Sequence, residues 1–228
     1  EVLKTPQIVT DDPVFDYWLN KKTNEVYYLT ENGDIYKLTS SGESEATDAR
    51  ATGNLSYIKP SFDGSLILTA FGYPQNPTFA VYDLAKKTWQ ALPASTTAAA
   101  WDPKSNNRIV YLKDNGGVSR LNLLNLSDGK SSEALRLAQK DLDLEWVLPD
   151  KIYLKEKSSV LTTSSFWAFD LKNRILQKLL DSKPGLLVRW FSGDTRGLLW
   201  SNTLNLIDLN GNNIISLPFK TAPNKCAI

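Results

Sequence analysis

A four-residue pattern recurs five times along the chain and constrains its fold more than any other feature. Each copy has an apolar pair, a polar residue and a leucine, and the copies are Ile35-Tyr36-Lys37-Leu38, Val81-Tyr82-Asp83-Leu84, Leu123-Leu124-Asn125-Leu126, Ala168-Phe169-Asp170-Leu171 and Leu206-Ile207-Asp208-Leu209. Successive copies begin 46, 42, 45 and 38 residues apart. Because a four-stranded propeller repeat takes about 40–45 residues, the spacing predicts one β-propeller blade per copy.

A second landmark keeps phase with the first. Trp101, Trp146 and Trp190 each lie in a short apolar run that is followed by a turn and another apolar run, and Pro60 occupies the matching place in the second repeat. The first repeat has Tyr17-Trp18 in this region. We predict that the repeated tryptophans pack between blades and do not form a stacking platform for a sugar or a base.

Each repeat divides into four short runs rich in β-branched and aromatic residues, separated by turn residues. In the second repeat these predicted strands cover about 55–61, 65–71, 78–84 and 87–93, with a tight turn at Asp63-Gly64. One such sheet cannot bury both faces alone, so the sheets must stack around an axis. The sequence therefore predicts an all-β chain of four-stranded antiparallel blades.

The segment from Ser131 to Lys140 has a helix-forming composition, but the repeat predicts an outer strand there. We expect a single propeller domain over 1–228, with residues 2–9 as an outer strand and 221–228 as the start of a sixth blade. That arrangement indicates a truncated portion of a six- or seven-bladed ring, and an irregular five-bladed ring is the alternative. The predicted blades cover roughly 11–52, 53–95, 96–139, 140–183 and 184–220.

The composition excludes several classes of site. The chain has no histidine and only one cysteine, Cys226, which excludes Ser-His-Asp and Cys-His catalysis, histidine-ligated zinc and an internal disulfide. Lys and Arg total 26 against 25 Asp and Glu, so no basic surface for nucleic acid is expected. No apolar run approaches the ~20 residues of a spanning helix, so we predict no membrane contact by this segment. We predict no cofactor and no metal.

Two sets of carboxylates are candidates for a catalytic or metal-binding role. Asp83, Asp170 and Asp208 each end a strand just before a turn, where aspartate caps backbone N–H groups, so we predict a turn-forming role. A glycoside hydrolase needs only a pair of carboxylates near the central channel. The candidates on or near innermost strands, none of them forming a pair with a supporting motif, are Asp16, Asp102, Asp143, Glu145 and Asp194.

Four residues are candidates for contact with a partner. Lys59, Glu145 and Arg189 directly precede the aligned Pro or Trp on three predicted inner strands, where they are expected to surround the mouth of the channel. Their charges are mixed, which indicates no strong field. Tyr73 lies in the predicted loop 71–77, which Pro74 and Pro77 stiffen, and it is the aromatic residue best placed to anchor a partner.

The segment Ser61-Phe62-Asp63-Gly64-Ser65-Leu66-Ile67-Leu68 resembles the core motif of PD40 (WD40-like, TolB-type) bacterial β-propeller repeats. Trp101-Asp102-Pro103 is similar to a degraded second copy, and the last three repeats lack the Asp-Gly dipeptide. The segment 221–226 is similar to one in membrane-anchored bacterial PD40 proteins. The resemblance implies an interaction platform without shared catalytic residues, in an extracytoplasmic part of a longer, anchored protein.

The sequence therefore predicts a non-catalytic scaffold that binds a protein partner, as part of a larger bacterial envelope protein. One alternative is a carbohydrate-active propeller enzyme that uses paired carboxylates. Another is a propeller fragment without an independent function. An open ring would expose strand edges and apolar faces, and in that case we expect self-association.

Overall fold

The computed structural model describes residues 10–11, 13–39, 44–50, 55–72, 77–157, 162–191 and 195–218. The described residues contain twenty β-strands in five antiparallel sheets of four strands each, and no helix. Within each sheet the strands follow one another in chain order. These sheets are the blades of a β-propeller, which confirms the predicted fold class.

The chain divides into two compact units, Glu1–Ala94 and Ser95–Ile228, and the first unit holds two sheets. The first sheet contains β1 (Val14–Asn20), β2 (Glu25–Thr30), β3 (Asp34–Leu38) and β4 (Ser44–Arg50). The second sheet contains β5 (Leu55–Pro60), β6 (Leu66–Phe71), β7 (Thr78–Asp83) and β8 (Thr88–Ala91).

The second unit holds the other three sheets. The third sheet contains β9 (Thr96–Trp101), β10 (Arg108–Asp114), β11 (Ser119–Asn125) and β12 (Ser131–Leu137). The fourth contains β13 (Leu142–Leu148), β14 (Lys151–Glu156), β15 (Thr163–Asp170) and β16 (Ile175–Pro184). The fifth contains β17 (Leu187–Trp190), β18 (Arg196–Trp200), β19 (Leu204–Asp208) and β20 (Asn213–Leu217).

The strand preference for the ambiguous segment is confirmed, because β12 pairs with β11 along its length. Each sheet occupies one predicted blade range, and only β16 passes its limit, by the single residue Pro184. The single-domain prediction remains a prediction. The expected outer strand at 2–9 and the expected start of a sixth blade at 221–228 lie outside the described residues.

The first unit is held together by a core between its two sheets. Trp18, Tyr27 and Leu29 of the first sheet pack with Ile58, Ile67 and Tyr82 of the second in one buried cluster. The hairpins that join the first two strands of each sheet also meet, since the Lys21 N–H donates to the Asp63 carbonyl at 2.7 Å. Apolar packing and a backbone hydrogen bond therefore fix the same pair of sheets.

Two cores lie within the second unit. Ala98, Val110 and Leu121 of the third sheet pack against one face of the fourth sheet. The opposite face of the fourth sheet carries Tyr153 and Phe166, which pack with residues of the fifth sheet. Since alternate residues of a strand point to opposite faces, β13 contributes Leu142, Leu144 and Trp146 to the first of these cores and presents Asp143 and Glu145 on the other face.

Candidate functional site

A groove opens where the fourth and fifth sheets meet, and we name it the carboxylate groove. It is shallow and partly open to solvent, with a cavity volume of about 20 Å³. The residues that line it and matter here are Asp143, Glu145, Tyr153, Lys155, Phe166, Val188 and Trp190. All of them lie in the second unit.

The strand register of the fourth sheet sets the order of side chains in the groove. Asp143 of β13 lies opposite Lys155 of β14, which in turn lies opposite Phe166 of β15. Two residues along β13, Glu145 lies opposite Tyr153. One end of the groove therefore carries both charges of an Asp–Lys pair, whereas the other end places a carboxylate beside an aromatic ring.

Three aromatic rings form the wall of the groove. The ring centroids of Tyr153 and Trp190 are 4.4 Å apart, those of Tyr153 and Phe166 are 5.6 Å apart, and those of Phe166 and Trp190 are 6.3 Å apart. The Tyr153 hydroxyl donates to the Leu209 carbonyl at 2.8 Å. Burial raises the pKa of Tyr153 above its usual range, as do the nearby Asp208 and Asp150 carboxylates, so this tyrosine stays protonated and in place.

The two carboxylates of the groove have different surroundings. The Lys155 ammonium lies 3.7 Å from Asp143 Oδ2, which places a counter-charge beside Asp143. Glu145 is half-buried, and its carboxylate forms no hydrogen bond or ion pair with another described residue. Removing a carboxylate from water without a partner is unfavourable. The Glu145 carboxylate therefore has no counter-charge among the described residues.

Other sheets fill the matching space with apolar groups. When Trp101 is aligned with Trp146, Ala98 and Ala100 of the third sheet match Asp143 and Glu145. Both alanines are buried in the core against the fourth sheet. In the first sheet, Trp18 stacks on Tyr27 with ring centroids 5.7 Å apart and packs on the second sheet. The carboxylates of β13 thus stand at a place where neighbouring repeats pack tightly.

The structure brings together only part of the predicted partner-binding set. Glu145 lines the groove, and Arg189 lies on β17 between the lining residues Val188 and Trp190, with its side chain exposed. Lys59 is half-buried on β5 of the first unit. Tyr73 lies outside the described residues. The partner-binding role of these four residues remains a prediction.

The candidate carboxylates for hydrolysis are distributed in a similar way. Asp143 and Glu145 lie in one groove, a pairing that the alternation Leu-Asp-Leu-Glu-Trp at 142–146 could have indicated, because it places both on one face of a strand. Asp16 lies on β1 of the first unit, and Asp194 lies outside the described residues. Asp102 is completely buried and accepts a hydrogen bond from Arg108 Nε at 2.7 Å.

The three aspartates at the ends of third strands cap turns, as predicted. Asp83 Oδ1 accepts the N–H groups of Ala85 and Lys86, each at 3.0 Å. Burial alone would raise the pKa of Asp83, but the hydrogen bonds from Lys86 and its charge outweigh burial and hold the pKa below its usual value.

The caps at Asp170 and Asp208 are built in the same way. Asn173 donates its backbone N–H and side-chain amide to Asp170, and these bonds lower the pKa of that carboxyl. The side-chain amide of Asn212, with backbone N–H groups, does the same for Asp208. All three aspartates therefore stay ionised for a structural reason.

Two of the repeated tryptophans pack between sheets as predicted, Trp146 with the third sheet and Trp190 with the fourth. Trp101 and Trp146 are 7% and 6% exposed, and Trp190 is half-buried against Tyr153. Within the described ranges, no group of three or more His, Cys, Asp or Glu side chains lies close enough to hold a metal ion. The part of the chain that the structure describes also has no helix of the length and hydropathy needed to cross a membrane.

Comparison with known proteins shows similarity at the level of structure. No protein-family model matches the chain, and no curated protein sequence matches it. The chain is similar to TolB from Acinetobacter baumannii, with 19% identity and a TM-score of 0.56 over 88% of this chain and 53% of that one. It therefore spans about half the length of that protein.

Two further structures show how widely the fold is shared. A protein assigned as TolB from Agrobacterium tumefaciens matches at 13% identity and a TM-score of 0.60, over 92% of this chain and 83% of that one. The tricorn protease matches at 12% identity and a TM-score of 0.62, over 86% of this chain and 25% of that one. The chain therefore has the β-propeller fold found in TolB and in peptidases alike, and the resemblance stated from the sequence is confirmed at the level of fold.

Proposed function

We propose that the chain is a non-catalytic scaffold that binds a protein partner at the carboxylate groove. The observation that carries this proposal is Glu145, a half-buried carboxylate without a described partner, beside an aromatic wall that faces the adjoining sheet. A position that breaks the packing rules of its own repeat is a good candidate for function. We also propose, from the sequence resemblance alone, that the scaffold belongs to a longer bacterial envelope protein.

The exposed Arg189 supports a contact with a macromolecule along the strand that borders the groove. Its neighbours in the chain, Val188 and Trp190, line the groove, and its own side chain is exposed. Arginine and tryptophan are enriched among the residues that dominate the binding energy of protein interfaces. Because alternate residues of a strand point to opposite faces, the Arg189 side chain lies on the face of β17 away from the groove. A partner that covers the free edge of β17, an edge strand of its sheet, would contact both the groove and this guanidinium.

Site-specific photo-crosslinking in the source cells tests the proposal. A benzoylphenylalanine at position 189 should yield one crosslinked species of defined mass, because a specific interface presents one partner to one site. The same probe at Lys172, an exposed turn position of the fourth sheet, serves as the control. The partner, identified by mass spectrometry, should bind the purified chain, and Glu145→Gln should weaken that binding.

Equal crosslinking patterns at positions 189 and 172 would contradict the proposal, as would a purified partner whose affinity is unchanged by Glu145→Gln. Glu31→Gln offers a matched control, since it removes the same charge from an exposed residue of the first unit.

A second candidate function is a carbohydrate-active enzyme, and the shared groove of Asp143 and Glu145 is the observation in its favour. Glycoside hydrolysis requires two carboxyl groups roughly 5–10 Å apart. Turnover of chromogenic glycosides that disappears in both Asp143→Asn and Glu145→Gln would support this candidate. Turnover that survives in either variant would rule out this pair as the catalytic carboxylates.

A further inference from the structure

We propose that the carboxylate groove receives a basic side chain, lysine or arginine, from the partner. This inference rests on the proposed function and specifies the chemistry of its partner. In this groove Glu145 supplies the charge, and Trp190, which is half-buried, supplies an aromatic ring.

The charges of the groove favour a cation. Its lining includes two carboxylates and one ammonium, Asp143, Glu145 and Lys155, which leaves one net negative charge. Lys155 lies 3.7 Å from Asp143 and opposite it in the strand register, so the excess charge is on Glu145. A cation that enters at the Glu145 end pairs with the free carboxylate, whereas Lys155 is held at the other end of the groove.

The burial of these groups makes the charge pairing selective. The side chains of Lys155 and Asp143 are 15% and 35% exposed, so the groove is only partly screened by water. An ion pair in such surroundings is stronger than one on the open surface. A neutral or anionic side chain would leave Glu145 without a partner and would lose more water contacts than it replaces.

The aromatic wall suits the remainder of a basic side chain. Val188 and Trp190 offer apolar surface on which the methylene stem of lysine or arginine can pack while its charged end remains polar. Tyr153, only 2% exposed, packs on Trp190 with ring centroids 4.4 Å apart and so holds the indole in place. A cation near an indole face gains a further attraction from the ring quadrupole.

Short peptides test the inference on the full chain. Acetylated, amidated pentapeptides with lysine, arginine, glutamine or norleucine between glycine pairs are titrated into the ¹⁵N-labelled protein. The readout is the indole N–H signal of Trp190, assigned through Trp190→Phe, because that N–H is buried at the groove and has no hydrogen-bond partner in the structure. The lysine and arginine peptides should shift this signal, and the glutamine and norleucine peptides should not.

Charge variants supply the second arm. Glu145→Gln should weaken the binding of the lysine peptide about tenfold, since a hydrogen bond to a charged group contributes roughly that factor. Glu31→Gln removes the same charge from the first unit and should leave the titration unchanged. Added salt should weaken binding of the lysine peptide to the native chain.

The outcomes separate the two proposals. Equal shifts by the norleucine and lysine peptides, or equal affinity of the native and Glu145→Gln chains, would overturn cation recognition. In that event a crosslinked partner at position 189 that depends on Glu145 would leave the scaffold function standing. A lysine-selective groove without any crosslinked partner would overturn the scaffold function instead.

Discussion

Two acidic residues of neighbouring first strands show how surroundings decide what a charge does. Asp102, directly after β9, is completely buried, and both of its carboxylate oxygens accept hydrogen bonds. Oδ2 accepts a hydrogen bond from Arg108 Nε, and Oδ1 accepts the Lys104 N–H at 2.9 Å. The Arg108 guanidinium also lies 5.4 Å from the ring centroid of Trp146 in the fourth sheet. Asp102 is a structural carboxylate, whereas Glu145 keeps its oxygens available.

Replacing Arg108 should therefore destabilise the second unit. We expect Arg108→Leu to lower the free energy of unfolding by about 2–3 kcal/mol, because it leaves Asp102 buried without a counter-charge. The effect stays below that of a fully buried pair because the Arg108 side chain is 49% exposed. Urea denaturation followed by tryptophan fluorescence measures the change.

The double variant Arg108→Leu with Asp102→Asn checks the cause, since it removes the buried charge and should recover part of the loss. Arg136→Leu is the matched control, because Arg136 pairs with Glu133 in an exposed position and should change stability little. A loss as large in Arg136→Leu as in Arg108→Leu would contradict the argument.

At the scale of the strand and the turn, the Asp63-Gly64 hairpin of the second sheet packs against the first hairpin of the first sheet. Asp63 Oδ1 accepts hydrogen bonds from the N–H and hydroxyl of Ser65, at 2.8 and 2.6 Å, which shapes the turn. Gly64 has a φ of +76°. A Cβ at this position would overlap the Leu19 carbonyl oxygen and would lie 2.9 Å from the Leu19 carbonyl carbon. The turn thus requires glycine for its backbone conformation and for the close approach of β1.

Gly64→Ala should cost more than about 3 kcal/mol of stability, because the strain of positive φ adds to a backbone overlap. Gly116→Ala is the matched control. Gly116 also has a positive φ, of +64°, but nothing lies within 4 Å of its Cβ position. That variant should cost only about 1–2 kcal/mol. Equal losses in the two variants, measured by urea denaturation, would show that the approach of the two hairpins does not matter.

The sequence predicts these elements well for a physical reason. Strand periodicity and turn residues act locally, so repeated patterns locate β5 to β8 within one or two residues. For β12, the place of the segment in the repeat predicts a strand, although its composition favours a helix. Glu145 was a candidate from its position before Trp146, but the free carboxylate and the aromatic wall depend on how the fifth sheet packs on the fourth. Such packing between sheets has no local signal in the sequence.

At the scale of the whole molecule, the first sheet exposes an apolar stripe on its first strand. Phe15, Tyr17 and Leu19 lie on one face of β1 and are 37%, 73% and 43% exposed. Exposed apolar groups on a strand promote association between copies. We expect the native mass of the chain, measured by light scattering after size exclusion, to rise above 25.5 kDa as concentration increases.

Tyr17→Lys should reduce this association, because it places a charge in the stripe. Ile175→Lys adds the same charge at an isolated apolar residue of β16 that is 60% exposed, and it should have no effect. A constant mass of 25.5 kDa for the native chain at all concentrations would refute the prediction.

The turn at Asp63-Gly64 also bears on how repeats of this kind diverge. Since a side chain at position 64 would collide with the backbone of the preceding hairpin, we expect position 64 to accept another residue only when that hairpin moves away. The third and fourth repeats, with Asp102-Pro103 and Pro149-Asp150 in the corresponding turns, lack the Asp-Gly dipeptide. The requirement for glycine therefore does not extend to those two turns, where other residues already occupy the corresponding positions.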